Sequence, residues 1–552
     1  MELQGHVNSA ELCAPLKDVK ISCLDFNNNV VHEVFSDNKG EWKLKYIENV
    51  TKVIFSHNEF VTKTYPGQTH LPETVRLLEN KLIGYQDKLW FLPGEKISLY
   101  VHSLVKYKAK LYRHGLNKEF ILDLGVHNAQ IQQVPDGFFV KTGVNWQTSI
   151  IYQLPKYISP GIYSLFLETE TKTGTKTQQE CFAVPMLVST PDRLQGKNTK
   201  LLVLASTNTW QSYNLWGGRS RYRNFEDNTS QDFIEIASLR QKIKSDISKF
   251  LPKLVKIFLR DIFGKDNQNQ WMFKKLSIRR PFTNCALEET TPFEPFTNHL
   301  AAGEWRLLAW LERENIPYDI VSMYELHNNP DLPQHYSAII FSTHCEYWSK
   351  AMFEAVKKYH EKNGLWILNI SGNTMYREVE FFDDGSTRCV SLSFAKSCAD
   401  ETKLLGVRFD MSDYSTCAPF KILKPNHWAF TEIPINKKYQ VFGTSSLNQN
   451  TSKKYTKYDP GRPGVADGLI GMGASGWETD KLSKTAGDNF IVIAKGMNKK
   501  GGADMVISEP NGNRGGVFSA SSLVFSASLL IDNIASELLK NIISRVLESA
   551  EY

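Results

Sequence analysis

At residues 200–205 the chain reads K-L-L-V-L-A, and this nearly continuous apolar run constrains the fold more than any other feature. A strand that is apolar on both faces has to be covered on both faces. Downstream of it, helical periods alternate with strand-sized runs: a helix over 305–314, strands over 318–322 and 338–341, a helix over 352–361 stopped by Asn363-Gly364, and a strand over 365–370. That alternation predicts an α/β domain with a mainly parallel sheet over 191–552. Residues 490–494 and 517–519 are expected to add strands, and 528–547 to form a closing amphipathic helix.

Upstream the pattern differs. Residues 20–26, 30–35 and 41–46 alternate apolar and polar, with Asn27-Asn28-Asn29 and Asp37-Asn38-Lys39-Gly40 as turns between them. Short strands with Asn/Gly turns predict a β-sandwich over 1–80. The segment resembles the transthyretin-like, or carboxypeptidase-regulatory-like, sandwich module. Residues 87–91, 96–102, 107–113 and 162–168 predict a second sandwich over 81–190. Neither module carries a cluster of reactive side chains, so both read as accessory.

With 552 residues, 41% of them hydrophobic, the chain has material for two or three cores. A net charge of +6 without arginine-rich runs gives no nucleic-acid footprint. The N-terminus M-E-L-Q-G-H-V-N-S has no leader pattern, and no run is long and apolar enough to span a bilayer. The eight cysteines form no C-x-x-C pair, which predicts reduced thiols and a cytoplasmic location. A helical insertion over 233–264 carries lysines and an arginine opposite an apolar stripe. It reads either as a basic amphipathic helix for a surface or partner, or as an insertion with a solvated face.

Ligands of a parallel α/β sheet collect beyond the carboxyl ends of its strands. Three segments leave strands at that edge with polar and aromatic side chains: 205–222, 342–349 and 371–376. The second, S-T-H-C-E-Y-W-S, allows two chemistries. Cys345 could be a nucleophile on a strand-to-helix elbow. Alternatively Glu346 ligates a metal and His344, two residues away on the same side of the pleat, orients it or moves protons. Carboxylate and phenolate ligands suit a hard ion such as ferric iron.

A series of motifs extends the second option: T-N-T-W-Q-S-Y-N (207–214), W-G-G-R-S-R-Y (216–222), A-G-E-W-R-L-L-A-W-L-E-R-E (302–314), S-T-H-C-E-Y-W-S (342–349), I-S-G-N-T-M-Y-R (370–377), G-W-E-T-D (476–480) and R-G-G-V-F-S-A-S-S-L (514–523). In this order they resemble the large subunit of N,N-dimethylformamidase. The resemblance implies a glutamine-amidotransferase-like α/β fold. It also implies hydrolysis of a small amide at a mononuclear iron held by two tyrosines and one carboxylate. Carried over, Glu346 is the carboxylate ligand, Tyr213 the first tyrosine and His344 the histidine behind them. Asn373 is the amide that polarises the substrate, and Glu478 a further carboxylate. The R-P-Y tyrosine of the family falls on Phe282, which cannot bind a metal: either Tyr222 or Tyr347 takes that place, or the chain lacks the iron site. The family's lysine has no counterpart. The resemblance also implies a multimer, with a small partner subunit as an option. Three readings stand at this point: a metal-dependent amidase, a thiol hydrolase using Cys345, and a ligand-binding protein on a degenerate fold.

Overall fold

The computed structural model describes residues 2–137, 139–173, 176–225, 270–285, 287–294, 299–435, 440–447 and 470–548. The predicted helical insertion lies outside these residues. The described chain is β-rich and built from several sheets. Strands Glu2–Ser9, Glu41–Lys45 and Thr74–Leu77 form one sheet, and Lys20–Leu24, Val30–Phe35, Lys52–His57 and Phe60–Pro66 another. Val7, Ile21, Trp42, Val53 and Phe55 belong to the single core these sheets share, as the alternation requires. The Asp37 turn forms because its Oδ1 accepts from the Lys39 and Glu41 amides, at 2.8 and 2.9 Å, while Gly40 takes φ +73°.

A second pair of sheets follows. Strands Ile83–Gln86, Lys96–His102 and Ile150–Gln153 form one; Trp90–Phe91, Tyr107–His114, Lys118–His127, Gly161–Thr173 and Lys176–Val188 form the other. Their core holds Leu99, Val101, Leu111 and Leu165, and it also takes in Trp216 from far downstream.

The largest sheet has nine strands. In chain order these are β1 (Leu201–Ala205), β2 (Asp319–Ser322), β3 (Ala338–Thr343), β4 (Trp366–Ser371), β5 (Phe420–Ile422), β6 (Val441–Phe442), β7 (Ile491–Gly496), β8 (Asp504–Ser508) and β9 (Val517–Ser519). The order across the sheet is β2-β1-β3-β4-β9-β8-β7-β5-β6. Pairing is parallel from β2 to β9 and antiparallel from β9 to β6. The sheet is therefore mixed, not mainly parallel as the alternation suggested. The reason lies in the connections. Between β7 and β8 the chain turns through Gly501 and Gly502 at positive φ, and so tight a turn joins only antiparallel neighbours.

Five helices matter here: α1 (Thr207–Tyr213), α2 (Ala301–Arg313), α3 (Met323–Asn328), α4 (Lys350–Asn363) and α5 (Asn533–Glu548). The Ser349 side chain caps α4, and Gly364 ends it in the left-handed conformation. Helix α5 starts later than its apolar pattern, because Asp532 Oδ1 accepts from the Ala535 amide. No described helix is long and apolar enough to cross a membrane. All eight cysteines are free thiols.

Helix α2 brings a carboxyl into the core. Glu304 accepts from Trp210 Nε1 at 2.6 Å and from the Ser206 amide at 3.2 and 3.1 Å, tying α2 to the start of α1. Burial pushes its pKa up from 4.5 to about 8. Between those values the unfolded chain has lost this proton and the folded one keeps it, so stability falls as pH rises through the window. Glu304→Gln, which stays neutral, is expected to match the wild type at pH 4. Near pH 8 it should exceed the wild type by roughly a few kcal/mol, read by denaturant unfolding. Parallel pH dependence of the two proteins would contradict this.

Candidate functional site

The carboxyl ends of β1, β3 and β4 lie side by side, and each hands its chain to the site. Helix α1 leaves β1 and ends on Tyr213. The loop after it runs to Tyr222 and is held by buried guanidinium groups. Arg280 donates to the carbonyls of Asn214, at 3.1 Å, and Trp216. Arg221 donates to the carbonyls of Lys274, at 2.7 Å, and Thr387, at 2.6 Å. Gly217 and Gly218 let this loop pass close to the N-terminal sheets. A Cβ on Gly218 would meet Cys13 Sγ at 2.0 Å, and the Gly217 amide donates to Glu11 O at 2.7 Å.

Around the strand ends, Thr343, Asn373, Met375, Trp477 and Ser521 all take φ between +46° and +62°. Left-handed backbone at non-glycine residues, a β-branched threonine among them, costs about 1–3 kcal/mol each and persists where the surroundings impose it. Here it recurs on four chain segments that meet around the strand ends.

Glu346 is the hub. It is fully buried. Its Oε1 accepts from the Tyr222 hydroxyl and from Arg377 Nε at 3.1 Å. Its Oε2 accepts from the Tyr213 hydroxyl at 3.3 Å and lies 3.5 Å from His344 Nε2. His344 Nε2 also stands 3.3 Å from Glu478 Oε2, which accepts from Asn373 Nδ2 at 2.8 Å. The six residues singled out from the sequence, Tyr213, Tyr222, His344, Glu346, Asn373 and Glu478, thus form one connected cluster.

The electrostatics follow from burial. Burial, and then the Glu346 charge, push the Tyr213 and Tyr222 hydroxyls far above the usual phenol range. Burial also raises Glu346, against the lowering effects of His344 and Arg377. His344 is raised in spite of burial, because Glu478 and Glu346 face it. Three buried polar atoms of the cluster lack a partner in hydrogen-bonding geometry: His344 Nε2, Tyr347 Oη and Asn373 Oδ1. Such atoms are costly to leave bare.

Two sequence expectations gain detail. One Asn373 side-chain N–H is donated to Glu478, and its carbonyl oxygen is without a hydrogen-bond partner. The Cys345 side chain joins the apolar cluster with Phe341, Trp348 and Met352. Burial raises its thiol well above the usual range, which disfavours the thiolate. Phe282 is a core residue beside Trp210 and Cys285, so the R-P-Y position supplies packing.

The sequence reading missed three members. Arg377, in the quoted I-S-G-N-T-M-Y-R motif, pairs with Glu346 and stacks over the Tyr222 ring, 5.4 Å from its centre. Asp480, the second acid of G-W-E-T-D, accepts from the Asn373 amide at 2.7 Å, and burial raises its pKa to about 7. His299 lies in no motif; its Nδ1 is 2.7 Å from His344 Nδ1.

A family model described as N,N-dimethylformamidase beta subunit-like, C-terminal, matches residues 112–536. The chain belongs to that family. The match contains every member of the cluster, and the motifs that suggested the family are the ones that build it. No curated protein matches this chain. Among solved structures, alpha-2-macroglobulin of Escherichia coli is similar at 12% identity over 33% of this chain and 11% of its own, with a TM-score of 0.11. A Streptococcal ancillary pilin gives 9% over 35% of this chain and 60% of its own, with 0.12, and the Bacillus cereus major pilin subunit 10% over 37% and 74%, with 0.13. Scores of this size describe no shared overall fold.

Proposed function

We propose that this dimethylformamidase-like chain is a hydrolase of small amides, with its site at the carboxyl ends of the parallel strands. The observation that carries this is the Glu346 hub: one buried carboxylate with a phenol on each oxygen, beside a histidine and a second carboxylate. The placement at strand ends supports a glutamine-amidotransferase-like reading of this half of the fold.

The donors suit the iron that the family resemblance implies. Among the described residues, no group of three or more His, Cys, Asp or Glu side chains is arranged to hold a metal ion. The oxygen set of Glu346, Tyr213 and Tyr222 is of a different kind and matches a hard ferric ion. With their pKa values pushed up, these phenols ionise only if a cation joins them, and the unpartnered Tyr347 hydroxyl lies in the same cluster. Tyr213, Glu346 and Tyr222 would hold the ion, whose chemistry is polarisation of a carbonyl and activation of water.

The protein's own groups divide the remaining work. His344, faced by Glu346 and Glu478, carries a proton on Nε2 where a departing amine needs one. Glu478, fixed by Asn373, is the carboxylate positioned to take a proton from water. Asn373 Oδ1 offers an acceptor to a substrate N–H or a water. Arg377 holds Glu346 in register.

Reconstituted with ferric iron, the wild type is expected to show a visible phenolate-to-iron band and to hydrolyse a formamide. Tyr213→Phe and Tyr222→Phe should each weaken the band. Absence of both band and hydrolysis after reconstitution would overturn this reading.

A further inference from the structure

His344 faces its two carboxylates with Nε2 and turns Nδ1 the other way, onto His299. The two Nδ1 atoms are 2.7 Å apart, a separation that only a nitrogen-to-nitrogen hydrogen bond tolerates. One of them must donate and the other accept. His299 is buried, 3% exposed, and its ring sits edge-on to Tyr213 and to Trp477, each with centroids 4.6 Å apart. It is therefore fixed in place. A neutral imidazole here has one N–H and one lone pair, so it can donate to His344 Nδ1 or accept from it.

We propose that His299 is a positioning residue that saturates Nδ1 of His344 and so keeps a proton on its Nε2, the nitrogen that faces Glu346 and Glu478. In neutral His344, the carboxylate oxygens 3.5 and 3.3 Å from Nε2 favour the ring proton there, and an N–H from His299 then occupies the Nδ1 lone pair and holds that tautomer. In cationic His344, both nitrogens are protonated and His299 accepts from Nδ1. Either way the same nitrogen presents a proton to the site. Without His299, neutral His344 is free to place its proton on Nδ1 and show the site a lone pair. An outer partner that fixes the tautomer of a working histidine is commonly worth about 10- to 100-fold in activity. The inference rests on reading His344 as the proton-handling group.

The test is a nitrogen-15 spectrum of the full-length protein labelled at histidine, with the His344 signals assigned by their loss in His344→Gln. The expected wild-type result is a protonated Nε2. In His299→Phe both ring nitrogens of His344 should shift, with Nε2 losing proton occupancy. In His299→Asn, whose amide reaches the Nδ1 position, the wild-type pattern should return. Formamide hydrolysis should fall about 10- to 100-fold in kcat, with little change in KM, for the phenylalanine variant and recover for asparagine. A role in packing alone predicts the reverse order, because phenylalanine keeps the ring contacts and asparagine loses them. An unprotonated Nε2 in the wild type, or unchanged His344 signals in His299→Phe, would overturn the proposal. The wild-type spectrum decides even if the phenylalanine variant does not fold. Shifts as expected in a protein without amidase activity would reject the amidase reading alone.

Discussion

Glu346→Gln is expected to lower amide hydrolysis by on the order of 10³-fold while leaving the protein folded. The substitution is nearly isosteric, but it replaces one of two carboxylate oxygens, on each of which two side chains converge, with an amide nitrogen. That nitrogen cannot accept from a phenol, and a neutral amide cannot complete an anionic donor set. The effect on stability is smaller, for a reason visible in the electrostatics. Breaking a buried ion pair usually costs about 3–5 kcal/mol, because the surviving charge is stranded. Here burial already works against the Glu346 charge, and Arg377 keeps its stacking contact with Tyr222. The two terms oppose, so a shift of a few degrees in melting temperature is expected beside the collapse in rate. Activity within about tenfold of wild type would remove Glu346 from the centre of the mechanism.

Trp216→Ala is expected to damage stability and chemistry together, although its side chain packs in the core of the second pair of sheets. The indole is fully buried, with its ring centroid 5.7 Å from Phe139 and 6.1 Å from Trp146. Emptying such a position costs about 3–5 kcal/mol. Six residues further on, the same loop delivers the Tyr222 hydroxyl to Glu346. Loosening the anchor lets that hydroxyl leave, so the variant should lose iron-phenolate absorbance at temperatures where circular dichroism still shows it folded. Trp216→Phe, which fills part of the space, should fall between. An alanine variant with lower stability but an intact band would mean that Arg280 and Arg221 hold the loop unaided.

Much of the site was legible in the sequence because it lies where strands end. An apolar run followed at once by His, Glu and Tyr, or by Gly-Asn, is a local signal, and three such signals marked the segments that hold Tyr213, Glu346 and Asn373, while the family resemblance supplied the roles of Tyr213 and Asn373. What escaped has no local signal. His299 follows no strand and repeats with no period; only the folded chain brings its Nδ1 to His344. Arg377 and Asp480 sat inside motifs that were read for their neighbours. The antiparallel half of the large sheet was missed because strand-sized runs look alike in either direction, and only the glycine turn at 501–502 carries the difference. The β-modules looked accessory for the same reason. Among the described residues they contribute no member of the cluster, and they contact the loop at Trp216, Gly217 and Gly218.

Those contacts change what counts as a unit of this protein. The family match begins at residue 112, inside the strand Tyr107–His114. Glu11 and Cys13, which receive the glycines of the Tyr222 loop, lie about a hundred residues before it. Shared ancestry and structural self-sufficiency therefore part company here. A fragment cut at the edge of the family would carry all the chemistry and lack the scaffold that holds one of its two phenols. Any recombination of this hydrolase with other N-terminal modules has to bring along a matching seat for a tryptophan and two glycines.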